Sequence, residues 1–334
     1  MEIKEYKLGD ICIVKNNLRS PININSRMYM EKTFPYYGAN GIIDYVNFYK
    51  INFDCLLIAE DGSVLTQDNR LIIHYIYKNK ISVSNHAHII KNNPNIVLLK
   101  YLFYSLKKVN AKKFISGSVQ QKLTLKNLLI IKIKLPNIQT QQAIINIIEP
   151  FENLNTFYFN KIRLLNNLKH RLGKKSFFSL EFNKFCFIKN CKGKIQQSKE
   201  GTYRYYNCSS NVSFIDNYNE YSNNDDLLII TTRGTITSHI IPRNTYFYAT
   251  NNLMIFKGEG IHCFDYWFKN NKKSIISGTS IPMITKKDLN FLNFAYDKNI
   301  EELLQKINNL IFFFEKIKNI ISIIIKKLIE IYIE

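Results

Sequence analysis

Long apolar runs are missing from this 334-residue chain. The greasiest stretch, Ile320 to Ile333, is broken by Lys326, Lys327 and Glu330, well short of the roughly 20 apolar residues that a spanning helix needs. The N-terminal Met1-Glu2-Ile3-Lys4-Glu5 is charged where an export signal has an apolar core. No spanning or export segment is expected, and a cytoplasmic location follows. Cysteine pairs are missing as well. Cys12, Cys55, Cys186, Cys191, Cys208 and Cys263 are scattered without a CxxC, so small reduced thiols are the plain reading and a zinc site the lesser one. Acidic residues are scarce beside basic ones: 46 Lys+Arg against 26 Asp+Glu give a net charge of +20. Such an excess favours a polyanion, with nucleic acid the commonest partner and a membrane surface the rival. Abundant Asn, Ile, Lys and Tyr point to a genome-wide composition bias, which discounts part of that charge. A content of 46% hydrophobic and 13% aromatic residues suffices for real cores and excludes a disordered basic tail, and the length fits about two domains.

Catalytic motifs are also lacking. No Gly-x-x-x-x-Gly-Lys-Ser/Thr loop is present, which excludes a motor-type phosphate site. An adenine methyltransferase would carry Asn/Asp-Pro-Pro-aromatic and a glycine-rich cofactor loop, and the nearest fragments, Asn93-Pro94 and Gly258-Glu259-Gly260, have the wrong neighbours. His86 and His88 share a strand face at a spacing that could hold a metal, yet no acidic or cysteine partner lies close in sequence, so a packed or hydrogen-bonding pair is expected and no metal. The adjacent carboxylates Glu60 and Asp61 lack the nearby lysine of a nuclease and read as a turn.

The chain does contain a repeat of itself. Cys12-Ile13-Val14-Lys15-Asn16 returns as Cys186-Phe187-Ile188-Lys189-Asn190, Tyr36-Tyr37 as Tyr205-Tyr206, and Asp54-Cys55-Leu56-Leu57-Ile58 as Asp225-Asp226-Leu227-Leu228-Ile229. Asn85 to Ile89 then matches Asn251 to Ile255, and Ser116-Gly117-Ser118 with Leu123 to Leu128 matches Ser277-Gly278-Thr279 with Ile284 to Leu289. Order and approximate spacing hold throughout, which indicates a duplicated unit with loop insertions.

Each half ends in a segment with heptad spacing. From Gln139 to Lys174 it selects Ile144, Ile147, Phe151, Leu154, Tyr158, Lys161, Leu165, Leu168 and Leu172; from Lys298 onward it selects Leu303, Ile307, Leu310, Phe314, Ile317, Ile321, Ile324, Leu328 and Ile331. Sustained heptads predict coiled-coil helices, with two ordinary amphipathic helices as the alternative. Pro136 and Gly173 are the start and stop signals of the first. Strands are predicted at Ile11 to Val14, Cys55 to Ala59, Leu71 to Tyr77, His88 to Ile90, Leu227 to Thr232, Thr245 to Thr250 and Leu253 to Phe256, and a helix at Val97 to Val109.

Taken in order, Tyr36-Tyr37-Gly38-Ala39-Asn40-Gly41, Leu56-Leu57-Ile58-Ala59-Glu60-Asp61-Gly62-Ser63, Asn85-His86-Ala87-His88, Ser116-Gly117 with Gln121-Lys122-Leu123, and Leu135-Pro136 leading into Gln141-Gln142 closely resemble a specificity subunit of Type I restriction-modification systems. In the second half the resemblance rests on Asp226-Leu227-Leu228, Ser277-Gly278-Thr279 and the terminal helix, and Asn207-Cys208-Ser209 replaces Gly38-Ala39-Asn40.

The resemblance implies an α/β (α+β) fold of two duplicated mixed α/β target-recognition domains separated by two long antiparallel coiled-coil helices. The domains fall at 1–138 and 175–297, the spacer helices at 139–174 and 298–334. It implies a non-catalytic subunit that binds a bipartite, asymmetric double-stranded DNA target. Partners would be methyltransferase subunits, two per chain, and restriction subunits, with no membrane. The chain itself would need no cofactor; S-adenosylmethionine, ATP and Mg would belong to those partners. Candidate DNA-contacting residues are Tyr37, Gly38, Asn40, Ser116, Gly117, Gln120, Lys122, Arg233, Ser277, Gly278, Thr279 and Lys286. Small residues let the backbone approach phosphates, and Arg233 could read guanine bidentately. Ile144, Phe151, Leu165, Leu310, Ile317 and Ile324 are the candidates for helix packing and partner contact. A stand-alone basic nucleic-acid-binding or architectural protein, and a self-contained restriction-modification enzyme with unrecognised motifs, remain as alternatives.

Overall fold

The run Cys55-Leu56-Leu57-Ile58-Ala59 is apolar at every position, and it forms a strand buried on both faces, as such a run should. The computed structural model describes residues 3–117, 120–172, 178–196, 201–209, 212–276 and 282–333. The chain divides into two compact units, Met1–Glu152 with Ile324–Glu334, and Asn153–Ile323.

The first unit contains, in chain order, β1 (Lys4–Lys7), α1 (Leu8–Ile11), β2 (Cys12–Val14), α2 (Ile24–Met28), β3 (Phe34–Gly38), β4 (Gly41–Val46), β5 (Cys55–Ala59), β6 (Ile73–Ile76), β7 (Ser82–Val83), β8 (Ala87–Asn92), α3 (Leu99–Lys108), α4 (Leu125–Leu129), β9 (Lys132–Leu135) and the start of α5 (Ile138–Leu172). An antiparallel sheet runs β2-β8-β5-β6, a second runs β4-β3-β7 with β3 and β7 parallel, and β1 pairs with β9. Side chains of β5 alternate between two cores. Leu56 and Ile58 pack with α3 residues such as Leu102 and Leu106, whereas Cys55 and Leu57 pack with Ile51, Ile81, Val83 and Ile89. Truncating one such Leu to Ala would cost about 2–5 kcal/mol.

In the second unit come β10 (Phe178–Glu181), β11 (Cys186–Asn190), β12 (Tyr203–Tyr206), β13 (Ser213–Ile215), β14 (Glu220–Tyr221), β15 (Leu227–Thr231), β16 (Ser238–Ile241), β17 (Tyr246–Ala249), β18 (Leu253–Lys257), α6 (Ile261–Asn271), α7 (Lys286–Asn290), β19 (Asn293–Tyr296) and most of α8 (Lys298–Tyr332). The sheets run β11-β18-β15-β16 and β13-β12-β17-β14, with β10 paired to β19. This repeats the sheets of the first unit, including the parallel pair, here β12 and β17, with β14 as one added edge strand. The fully buried β15 again splits its residues: Leu228 and Ile230 toward α6, Leu227 and Ile229 toward the other sheet.

The two long helices begin with the same device. Asn137 accepts the Thr140 N–H at 2.8 Å, and Asp297 accepts the Ile300 N–H at 2.9 Å, each satisfying a first-turn donor. One turn on, the fully buried Gln141 accepts the Leu98 N–H at 2.8 Å and donates to the carbonyls of Ile96 and Pro136. Its counterpart Glu301 accepts the N–H groups of His262 and Cys263 at the start of α6. The Gln141 of the sequence motif therefore ties a long helix to the segment that opens α3. α5 continues through Pro150, which has no N–H to offer the preceding turn.

The helix seam departs from the expected heptad by one residue on half of its positions. Ile144 is buried and Phe151, Tyr158 and Leu165 are half-buried, but Ile147, Leu154 and Leu168 are exposed; Ile148 is buried in their stead. On α8, Ile307 and Ile321 are buried and Ile317 and Ile324 half-buried, while Leu303, Leu310 and Ile331 are exposed and Leu304 is fully buried. Leu310, 45% exposed, is thus corrected out of the seam. The cause is that α8 first packs on its own unit through Ile300 and Leu304, which sets the stripe in 4-then-3 order. Within the second unit the helices run antiparallel: Tyr158 meets Phe314 at a ring distance of 5.4 Å, and Lys169 donates to Asn308 at 2.8 Å. In the first unit Ile329 and Ile333 join the core that holds Ile144 and Ile148.

Candidate nucleic-acid interface

Ala39 and Asn40 form the two-residue turn between β3 and β4, and Gly41 takes φ +115°, a backbone that suits glycine. Of the candidates on this hairpin only Asn40 is exposed. Tyr37 is half-buried, its ring centroid 6.0 Å from that of His74, and burial raises its phenol above the usual range. Gly38 is buried, and an added Cβ would lie 3.0 Å from Ile43. Tyr37 and Gly38 therefore build the hairpin, which presents Asn40.

A second loop is closed by Ser116 and Lys122, whose backbones exchange hydrogen bonds of 2.9 and 2.8 Å, with the Ser116 hydroxyl adding a third to the Lys122 carbonyl. Gly117, at φ +85°, faces the Gln120 carbonyl so closely that no Cβ would fit. Gln120 and Lys122 are exposed. Lys122 Nζ lies 3.6 Å from Glu60 Oε1, so this ammonium has a carboxylate nearby.

Beside the loop lies a polar cluster around the buried His88 that sequence spacing did not reveal. Arg19 pairs with Glu60 at 2.7 Å and approaches His88 Nδ1 at 3.0 Å, and Asn16 Nδ2 reaches the same nitrogen at 3.1 Å. Two donors converge on Nδ1, so the proton sits on Nε2, which donates to the Leu123 carbonyl at 2.8 Å. Burial lowers the imidazole pKa, against the pull of that carbonyl and of Glu60. His88 and Glu60 thus hold the segment that leads from the loop into α4, since Leu123 N–H also donates to the Glu60 carbonyl at 2.7 Å. His86 turns elsewhere, to Asp61 Oδ1 at 2.6 Å. The two histidines therefore engage different carboxylates, and among the described residues no three His, Cys, Asp or Glu side chains gather as a metal site.

In the second unit Arg233 is exposed on a turn whose Gly234 has φ +84° and donates to the Pro282 carbonyl at 3.0 Å. Arg233 bridges Met283. Lys286 opens α7, with its ammonium 4.4 Å from the Phe187 ring centroid, a cation–π contact that orients it. Thr285 caps α7 in a reciprocal box with Asp288, as Thr124 caps α4 through Asn127. Ser277, Gly278 and Thr279 lie outside the described residues. Arg19 and Asn16 were missed because their partners are about 70 residues away; the available signal was an arginine in a chain that otherwise favours lysine.

A family model for the Type I restriction modification DNA specificity domain matches residues 1–170, half of the chain. A putative type I restriction enzyme specificity subunit of Haemophilus influenzae is 32% identical over 148 residues, covering 44% of this chain and 37% of that protein. The specificity subunit of an Escherichia coli type I restriction enzyme, EcoprrI, is 27% identical over 155 residues, covering 46% and 37%. The chain thus aligns with little more than a third of these relatives' lengths. In fold it is similar to the crystal structure of a Type I restriction-modification S subunit from M. genitalium, with TM-score 0.67 and 14% identity, covering 100% of this chain and 96% of that one.

Proposed function

Because the chain belongs to the Type I restriction modification DNA specificity family, we propose that it is the DNA-recognition subunit of such a system. In this reading it binds a bipartite, asymmetric target and docks methyltransferase and restriction subunits, which bring all the chemistry. The observation that carries the reading is the duplication of the sheets with different residues on equivalent loops. Two similar but non-identical domains suit two non-identical half-sites. The net charge of +20 agrees with a polyanionic ligand.

We further propose that the domains at 1–138 and 175–297 are the readers and that the long helices set their spacing. Each helix is 35 residues long, about 52 Å at 1.5 Å per residue. Partner subunits would dock on the apolar residues that these helices leave exposed, among them Leu154, Leu168 and Leu310. Methylome sequencing of the source cell with and without the gene tests the reading: a split methylated motif should vanish with the gene. Methyl transfer from S-adenosylmethionine to DNA by the purified chain alone would instead favour a self-contained enzyme.

A further inference from the structure

Asp61 and Arg233 occupy the same place in the two repeats, because the structure matches Leu56 with Leu228, one residue on from the sequence register that paired it with Leu227. Glu60 N–H donates to the His86 carbonyl at 2.9 Å, and Thr232 N–H to the Asn252 carbonyl at 2.8 Å. Leu123 N–H donates to the Glu60 carbonyl at 2.7 Å, and Ile284 N–H to the Thr232 carbonyl at 3.0 Å. Asp61 bridges Lys122 as Arg233 bridges Met283, and each is followed by a left-handed glycine, Gly62 at φ +78° and Gly234 at φ +84°. One backbone frame therefore carries a carboxylate in the first unit and a guanidinium in the second. The frame needs neither charge, since it forms with both.

The neighbouring side chains change in step. His86, half exposed, holds Asp61 at 2.6 Å, and its equivalent is Asn252, also exposed. Lys122 is matched by Met283, 40% exposed. What differs between the two tips is their pattern of donors and acceptors. A carboxylate accepts, and on a base edge in the major groove it meets the exocyclic amine of cytosine or adenine. A guanidinium donates, and it matches O6 and N7 of guanine.

We infer that Asp61 and Arg233 are the paired specificity-determining residues of the two repeats: Asp61, steadied by His86, selects a base presenting an exocyclic amine in one half-site, and Arg233 selects guanine in the other. This rests on the DNA-recognition reading above. His86 is a positioning residue in this scheme, because it acts through the carboxylate.

The test is selection of bound duplexes from a randomised DNA library by the full chain together with the subunits that co-purify with it, for wild type, Asp61→Asn, Arg233→Gln and His86→Gln. Asp61→Asn should lose about tenfold to a hundredfold of its base discrimination at one position of one half-site, leaving the other half-site intact. Arg233→Gln should do the converse at a guanine. His86→Gln should weaken the Asp61 position only. Thermal melting of each variant identifies loss of fold, and in that case Asp61→Glu, which keeps the charge but moves it one methylene further out, should still shift preference at the same position. Unchanged selection by folded Asp61→Asn and Arg233→Gln, with wild type selecting a split sequence, overturns this assignment alone. Wild type selecting no sequence overturns the recognition reading with it.

Discussion

Lys169 of α5 donates a 2.8 Å hydrogen bond to Asp265 of α6, a carboxylate only 1% exposed. Lys269 and the Ser238 hydroxyl also reach Asp265. Burial alone would raise this carboxyl, but the two ammonium groups hold it well below the usual carboxylate range. The same Lys169 donates to Asn308, which meets His262, which in turn meets Asp226, held also by Gln305 and Arg243. A single polar chain thus joins α5, α8 and the sheet of the second unit.

Asp265→Asn should destabilise the second unit by about 3–5 kcal/mol, since it leaves a buried ammonium without its counter-charge. Lys169→Met should cost less, because Lys269 still compensates Asp265. Urea unfolding of both variants and of the double mutant measures the coupling. Equal losses in the two single variants would contradict the ordering.

Acid should weaken the second unit earlier than its carboxylates alone would dictate. Burial, with Lys269 nearby, pushes the His239 imidazole down to about 3, against about 6.5 in an unfolded chain. The unfolded state therefore takes up the proton first as pH falls. Stability is full above about pH 6.5 and declines toward pH 3, by up to about 1.4 kcal/mol per unit. His239→Asn should flatten the curve between pH 6.5 and 4; an unaltered slope would assign the decline to other groups.

Gln141→Leu should cost about 2–4 kcal/mol, because the Leu98 N–H and the carbonyls of Ile96 and Pro136 lose a buried partner. Glu302→Ala, at an exposed position next to Glu301, should change stability by no more than about 0.5 kcal/mol. Differential scanning calorimetry of the full chain separates the two.

Leu154→Asp and Leu310→Asp should leave the melting temperature nearly unchanged and abolish co-purification of partner subunits, since both side chains are exposed. Ile148→Asp and Leu304→Asp, at fully buried neighbouring positions, should unfold their units. Retained partners in the first pair would place docking on another surface.

Lys122→Gln should make the salt dependence of DNA binding shallower by about one unit without altering the recognised sequence. Lys286→Gln should do so at least as much, because its ammonium sits over the neutral Phe187 ring whereas that of Lys122 lies 3.6 Å from the Glu60 carboxylate. Filter binding across salt concentrations reads both.

Strands β5, β8, β15 and β18 were legible because their apolar runs are continuous and bounded by turns, and the duplication was legible because it repeats in order. The seam of the helices was not. Ile147-Ile148, Leu303-Leu304, Leu310-Ile311 and Ile324-Ile325 are adjacent apolar pairs, where either stripe satisfies the sequence, and at Leu154-Asn155 and Leu168-Lys169 tertiary packing overrides the apolar pattern. Tyr37 and Gly38 drew notice as loop residues, and the structure places them at the end of β3, half-buried and buried. Among the candidate contacts, the loops were found from their small and polar residues, whereas the Arg19, Glu60 and His88 cluster beside them depends on long-range folding that no local spacing encodes.

The core of the first unit holds Ile329 and Ile333 beside Ile144 and Ile148, and Lys108 of α3 donates to the carbonyls of Glu330 and Ile333. On the ribosome, residues 1–152 therefore emerge with that side of their core uncovered and stay so while the whole second unit is made. At about 5–20 residues per second, roughly 180 further residues take about 10–35 s. During that interval the first unit is a client for whatever shields apolar surface in the cell, and a chain that stops before residue 324 would remain one.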